Sequence, residues 1–257
     1  MKRRRAARLS LAAIVAAGAC GGSAEPLRFS AHTFESDSTA ACRSADPCAR
    51  VQLTWLEASG GTGRAARRVN AHVIELMRLR GGNDSASASP VAIADAFQRE
   101  YAAHRTAAST TRDRWSLMGA VSIPWRSERE RLTLHAVTYA HAGGRYGLGQ
   151  EWFSVFDERR GEPLTMRDII ADSAAATSIV ERFFRRAKAL PDAGSLAAYG
   201  WSFPHDRFTL SPNIGLNAQG VVFHWNPYVI APAISGATTL IVPYDSLQPA
   251  LARGIAP

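Results

Sequence analysis

Three consecutive segments between residues 115 and 157 carry a hydrophobic period of two. Trp115, Leu117, Gly119, Val121 and Ile123 form one series. Leu132, Leu134, Ala136 and Thr138 alternate with Thr133, His135, Val137 and Tyr139. Trp152, Ser154 and Phe156 alternate with Phe153, Val155 and Asp157. Side chains of a strand point to opposite faces in turn, so each segment presents one face to a core. Their aromatic and β-branched content suits a pleated, half-buried surface. Short connections between them predict an antiparallel meander.

The flanking segments read differently. Val51–Leu56 is a strand ended by Gly60-Gly61. Val69, Val73, Leu76, Met77 and Leu79 approximate a helical stripe over 64–79. Ser89-Pro90 starts a second helix, with Ser as cap and Pro in the first turn. Val91, Ala94, Phe97, Tyr101 and His104 then share its inner face. Met166–Ile170 begins a helical region that Ile179, Phe183, Phe184 and Ala187 continue to Leu190. Strands return at Arg207–Leu210, Gly220–Trp225 and Thr238–Val242, and Ser246–Ala252 is a terminal helix.

Helices and strands are thus segregated, which predicts an α+β fold: a mainly antiparallel β-sheet packed against a few helices. Gly220–Trp225 and Thr238–Val242 are expected in one sheet with Leu132–Tyr139 and Trp152–Phe156, because a lone hairpin is marginal in water. Val221, Phe223 and Trp225 should face the helix bearing Phe183 and Phe184. The chain divides into residues 1–19, a signal peptide; 20–45, a tether and leading strand; 46–125, the first part of the globular fold; and 126–257, a C-terminal domain.

The first segment places the protein outside the cytoplasm. Met1-Lys2-Arg3-Arg4-Arg5 precedes an apolar run that ends Ala17-Gly18-Ala19-Cys20. That is an export signal reaching a cysteine, so lipidation at Cys20 is expected. Ala17-Gly18-Ala19 also fits ordinary signal peptidase, which leaves a soluble secreted protein as the alternative. Gly21-Gly22-Ser23 follows as a flexible tether. The run Leu9–Ala19 is too short to span a bilayer. Cys42 and Cys48 are expected to pair as a local disulfide in an oxidising compartment, stabilising by about 2 kcal/mol; the alternative is two free thiols.

Charge argues against nucleic acid. The net charge is +8, but the signal segment holds five basic residues and no acid, leaving +3 on the 238-residue remainder of the 257-residue chain. The basic clusters at Arg64–Arg68, Arg126–Arg131 and Arg185–Lys188 are short, and Glu128 and Glu130 interrupt the second.

Catalytic motifs are missing from the chain. There is no H-E-x-x-H, G-x-S-x-G or phosphate-cradling glycine pattern. His135 and His141 share a strand parity, and His224 on a neighbouring strand would complete a metal site; half-buried strand histidines are the simpler reading. His205-Asp206 reads as turn chemistry. No catalytic residue, metal or cofactor is therefore expected. The candidate binding surface comprises Tyr139, His141, Tyr146, Tyr199, Trp201 and Tyr228. The loop Tyr199–Phe203 could stack on a sugar or a partner protein, or cap a core. Tyr228 either buries its ring behind the Asn226-Pro227 turn or walls a groove.

Several stretches resemble one family. They are Tyr139-Ala-His-Ala-Gly143-Gly144-Arg-Tyr-Gly147, Trp152-Phe-Ser-Val-Phe-Asp157, Gly161-Glu-Pro-Leu-Thr165, Asn226-Pro-Tyr-Val-Ile-Ala-Pro232 and Val242-Pro-Tyr-Asp-Ser-Leu247. Residues 131–251 thereby resemble the RsiV-like extracytoplasmic domain family, which also accompanies the deacetylase PdaC. Arg145-Tyr146 stand where the family turn often has Ala-His. The resemblance implies a binding or sensing domain facing the cell envelope; it carries over neither a ligand such as lysozyme nor deacetylation. The expectation is an exported, lipid-anchored periplasmic protein with a non-catalytic domain for an envelope partner, either a protein or a peptidoglycan glycan. An envelope hydrolase acting on peptidoglycan and a structural envelope protein are the other two readings.

Overall fold

The structure is a computed structural model and describes residues 25–37, 48–81, 88–107, 114–143 and 145–256. Cys20 and Cys42 lie outside these residues; Cys48 is buried at the head of the second strand. The first sheet has six strands in sequence order: β1 (Leu27–Asp37), β2 (Ala49–Gly60), β3 (Trp115–Arg126), β4 (Arg131–His141), β5 (Leu148–Asp157) and β6 (Glu162–Pro163). β3, β4 and β5 form the expected antiparallel meander, with Leu132 opposite Phe156.

One junction departs from the segregated pattern. β2 and β3 pair in parallel, Ala49 opposite Trp115, and α1 (Gly63–Gly81) with α2 (Pro90–Ala107) forms the crossover between them. Parallel neighbours require such a crossover, and it lays both helices on one face of the sheet. With two helices in a row, this crossover has no single βαβ period in the sequence. Ser89 caps α2 as expected, its Oγ accepting from the Ala92 N–H at 3.1 Å. The inner face of α2 is Ile93, Ala94, Phe97 and Tyr101; Val91 is exposed instead. With Val69, Val73, Leu76 and Met77 of α1, these residues cover Val51, Leu53, Leu117, Val121, Leu132, Leu134 and Phe156.

The last third differs more. The helical region from Met166 is two helices, α3 (Met166–Ile169) and α4 (Ser173–Ala187). Ile170 leaves the helix to bridge Leu251, and Asp172 restarts it, accepting from the Ala175 N–H at 2.9 Å. Arg207–Leu210 is not a strand; the sheet resumes at β7 (Ile214–Leu216). β7, β8 (Gly220–Trp225) and β9 (Thr238–Pro243) make a separate three-stranded sheet and do not join the first. α5 (Tyr244–Leu247) and a single 3₁₀ turn follow.

The reason for the second sheet is burial on both sides. All six residues of β8 are buried. Val221, Phe223 and Trp225 share a core with Ile179, Val180 and Phe184 of α4, as the alternation predicts. Val222 and His224 turn the other way, towards β5, where the Phe153 ring lies 5.8 Å from that of His224. Gly215 of β7 lets Phe153 in: a Cβ there would lie 2.9 Å from the Phe153 ring. The molecule is therefore layered as helices, large sheet, small sheet and helix.

Candidate functional site

The sequence-predicted surface residues fall into two groups. Tyr139 and His141 lie at the end of β4, and Tyr146 in the turn before β5. Tyr139 is half-buried over Gly147, whose missing side chain leaves room for the ring. His141 donates from Nδ1 to the Arg114 carbonyl at 2.9 Å. Tyr146 is 77% exposed, with the Arg145 guanidinium 5.7 Å from its ring. The second group is Tyr199, Trp201 and Tyr228. Trp201 caps a core, edge-on to Phe184 at 5.0 Å with the Lys188 ammonium 4.8 Å above it. Tyr199 is exposed. Tyr228 is 68% exposed rather than buried, because its backbone is left-handed at φ 70° and turns the ring outward.

The turn bearing Tyr228 is held from both ends. Ser202 donates its N–H to the Ile230 carbonyl at 2.8 Å, tying it to the Trp201 loop. Asn226 ties it to β5: its Oδ1 accepts from the Glu151 N–H at 2.7 Å and its Nδ2 donates to the Glu151 carbonyl at 2.9 Å. Asn213 does the same one step along, taking the Phe153 N–H at 2.7 Å and giving to the Glu151 carbonyl at 2.7 Å. Two side-chain amides thus occupy the edge of β5 where a strand would pair.

A polar cluster fills this joint between the sheets. His135 meets Glu151 Oε2 at 3.0 Å and stacks on Phe153 at 4.3 Å. His224 is buried, with Nε2 3.2 Å from Asn226 Oδ1 and Nδ1 2.8 Å from Thr239 Oγ1. Asn226 Oδ1 can only accept, so His224 carries its proton on Nε2 and accepts from Thr239. Burial pushes the His224 imidazole below its usual pKa, and nearby His135 adds to this while Glu151 and the Asn226 bond oppose it. His141 lies elsewhere, so the three histidines do not converge. The described residues include no group of three or more His, Cys, Asp or Glu placed for a metal ion.

On the opposite face of the large sheet, a constellation that the sequence did not reveal comes together. His72 of α1 places Nε2 2.9 Å from Ser154 Oγ of β5 and Nδ1 3.3 Å from Glu75 Oε2. Phe156 holds the ring edge-on at 5.0 Å. A cavity of about 300 Å³ lies beside it, lined by Arg68, Ala71, His72, Glu75, Gly161, Glu162 and Pro163. Arg68 pairs there with Glu162. Burial lowers the His72 pKa, opposed by Glu75. His72 and Ser154 are 82 residues apart, and the only local signal was a His and a Glu three apart on one helix.

Residues 167–245 match the DUF3298 family. Its description is "Protein of unknown function (DUF3298)", and the matched stretch runs from α3 through α4 and the small sheet to the start of α5. Two solved structures share the architecture. A DUF3298 family protein from Pseudomonas aeruginosa PAO1 is 18% identical with a TM-score of 0.67, over 92% of this chain and 99% of that one. A DUF3298 member from Bacteroides fragilis NCTC 9343 is 16% identical with a TM-score of 0.68, over 88% of this chain and 94% of that one. At such identities the likeness is one of fold. No curated protein matches the chain.

Proposed function

We propose that this protein is an exported, lipid-anchored binding or sensing module of the periplasm, tethered through Cys20, stapled by Cys42–Cys48, and engaging an envelope partner through exposed aromatic side chains. The partner is an envelope protein or a peptidoglycan glycan. The RsiV-like motifs and the export signal point the same way.

Tyr228 carries the reading. A left-handed backbone costs a non-glycine residue about 1–3 kcal/mol and persists only where the surroundings impose it. Here Asn226 and Ile230 impose it, and the result is a large ring held in solvent. Folding alone gains nothing from that arrangement, whereas a pre-set aromatic anchor serves recognition. Val229 and Ile234, the latter 97% exposed, are further exposed apolar side chains of the same segment.

Photocrosslinking tests it. With p-benzoylphenylalanine in place of Tyr228 or Tyr146, irradiation of intact cells is expected to give adducts that protease or lysozyme digestion assigns to protein or glycan. Irradiated cells with no adduct at either position would overturn the reading.

A further inference from the structure

We propose that Ser154 is an acyl-accepting nucleophile for a short-chain carboxylic ester, with His72 as its general base and Glu75 as the group that positions the imidazole. This goes beyond the binding role, concerns the other face of the large sheet, and departs from the expectation of a chain without catalysis.

The hydrogen-bond polarity is the first support. A carboxylate only accepts, so Glu75 Oε2 fixes the His72 proton on Nδ1. His72 Nε2 then presents its lone pair to Ser154, whose hydroxyl must donate along the 2.9 Å contact. That is the resting arrangement of an acid–histidine–serine relay, which is recognised by geometry and roles rather than by sequence order. A bond serving only to dock α1 on β5 would need no third group to set its direction.

The surroundings supply what the chemistry requires. A base must be neutral to accept a proton, and burial favours the neutral ring of His72. Phe156 fixes the ring plane. The cavity at His72 has small or apolar walls in Ala71, Gly161 and Pro163, which suit a short acyl group. Leu164, which follows Pro163, donates its N–H to the carbonyl of Val155, so this wall is joined to β5 at the residue next to Ser154, and His72 links the cavity to the hydroxyl. Arg68 is the cation lining the same cavity, where it pairs with Glu162.

The reaction balances without a further reagent. Ser154 Oγ bonds to the ester carbonyl carbon while its proton moves to His72 Nε2. The tetrahedral adduct collapses, the carbon–alkoxy bond breaks, and the alcohol leaves with the proton from Nε2. Water then attacks the acyl-serine, gives its proton to Nε2, and that proton returns to Ser154 as the carboxylic acid departs.

A fluorophosphonate probe tests this on the whole mature protein, with the adduct located by peptide mass mapping. Labelling is expected at Ser154, absent in Ser154→Ala and slowed about 100-fold or more in His72→Gln. The labelling rate should fall with pH as His72 takes up a proton. Glu75→Gln should alter that pH profile and Glu75→Asp restore it, which a merely structural contact would not do. Melting curves restrict the comparison to variants that fold like the parent. Folded parent protein without an adduct on Ser154, or labelling of Ser154 indifferent to His72→Gln, would overturn the proposal. Labelling reports on Ser154 and crosslinking on the exposed aromatic side chains, so this site and the aromatic surface stand or fall separately.

Discussion

His224 shows how one side chain can belong to two layers. Its backbone lies in β8 and its ring faces β5, with Glu151, His135, Asn226, Thr239 and Phe153 around it. Burial holds its pKa below the unfolded value of 6.5, and His72 in the other interface is displaced in the same direction. The folded state therefore binds fewer protons than the unfolded state in the range between the two values. The sign follows: stability is intact above about pH 6.5 and falls as the pH drops towards the folded values. Thermal melts from pH 8 to pH 5 should show a declining midpoint. His224→Gln should flatten part of that decline, leaving the part due to His72. An identical slope in parent and variant would mean that His224 does not titrate with folding.

At the scale of elements, three joints use a side chain where a strand would place a backbone. Asn70 of α1 accepts from the Ala58 N–H at 2.6 Å and donates to the Ala58 carbonyl at 3.0 Å. Thr133 of β4 donates to the Leu216 carbonyl at 2.8 Å and accepts from the Leu216 N–H at 3.1 Å. Asn213 and Asn226 treat the edge of β5 likewise. An amide side chain reproduces the donor and acceptor of a peptide, so a buried edge stays satisfied where no strand follows. Asn213→Ala would strip the partner from the Phe153 N–H and one of two from the Glu151 carbonyl. Urea unfolding should then report a loss of about 1–3 kcal/mol. Asn213→Asp should not recover it, because a carboxylate presents only acceptors to the Glu151 carbonyl. A midpoint unchanged in Asn213→Ala would show that the sheets dock by apolar contact alone.

For the whole molecule, the described fold begins at Glu25, and the segment proposed to direct export lies ahead of it. No helix among the described residues is long and apolar enough to cross a membrane. Membrane attachment by the proposed route then depends on the lipid at Cys20. Cys20→Ser should move the protein from the membrane fraction to the soluble periplasmic fraction. Retention of that variant on membranes after a high-salt wash would refute the anchor. The folded layers should be untouched by the change, so the released protein should melt like the parent.

Local periodicity made much of this architecture legible. The meander of β3, β4 and β5, the capped start of α2 at Ser89 and the shared face of Val221, Phe223 and Trp225 follow from residue order alone, because strand alternation and the first turn of a helix are local properties of the chain. The export signal proposed at residues 1–19 rests on sequence order alone. What the chain order could not show is which buried strand meets which. β8 is apolar on both faces, so its pattern fits equally the large sheet and a sheet of its own; the amides of Asn213 and Asn226 decide for the second by closing the edge of β5. The same holds for Tyr228, whose exposure depends on a backbone angle imposed from Glu151 and Ser202. It holds for His72 and Ser154, which become neighbours only when α1 is laid across β5 by the crossover between β2 and β3. Periodicity reports how each segment is solvated, whereas contacts between distant segments arise only when the layers pack.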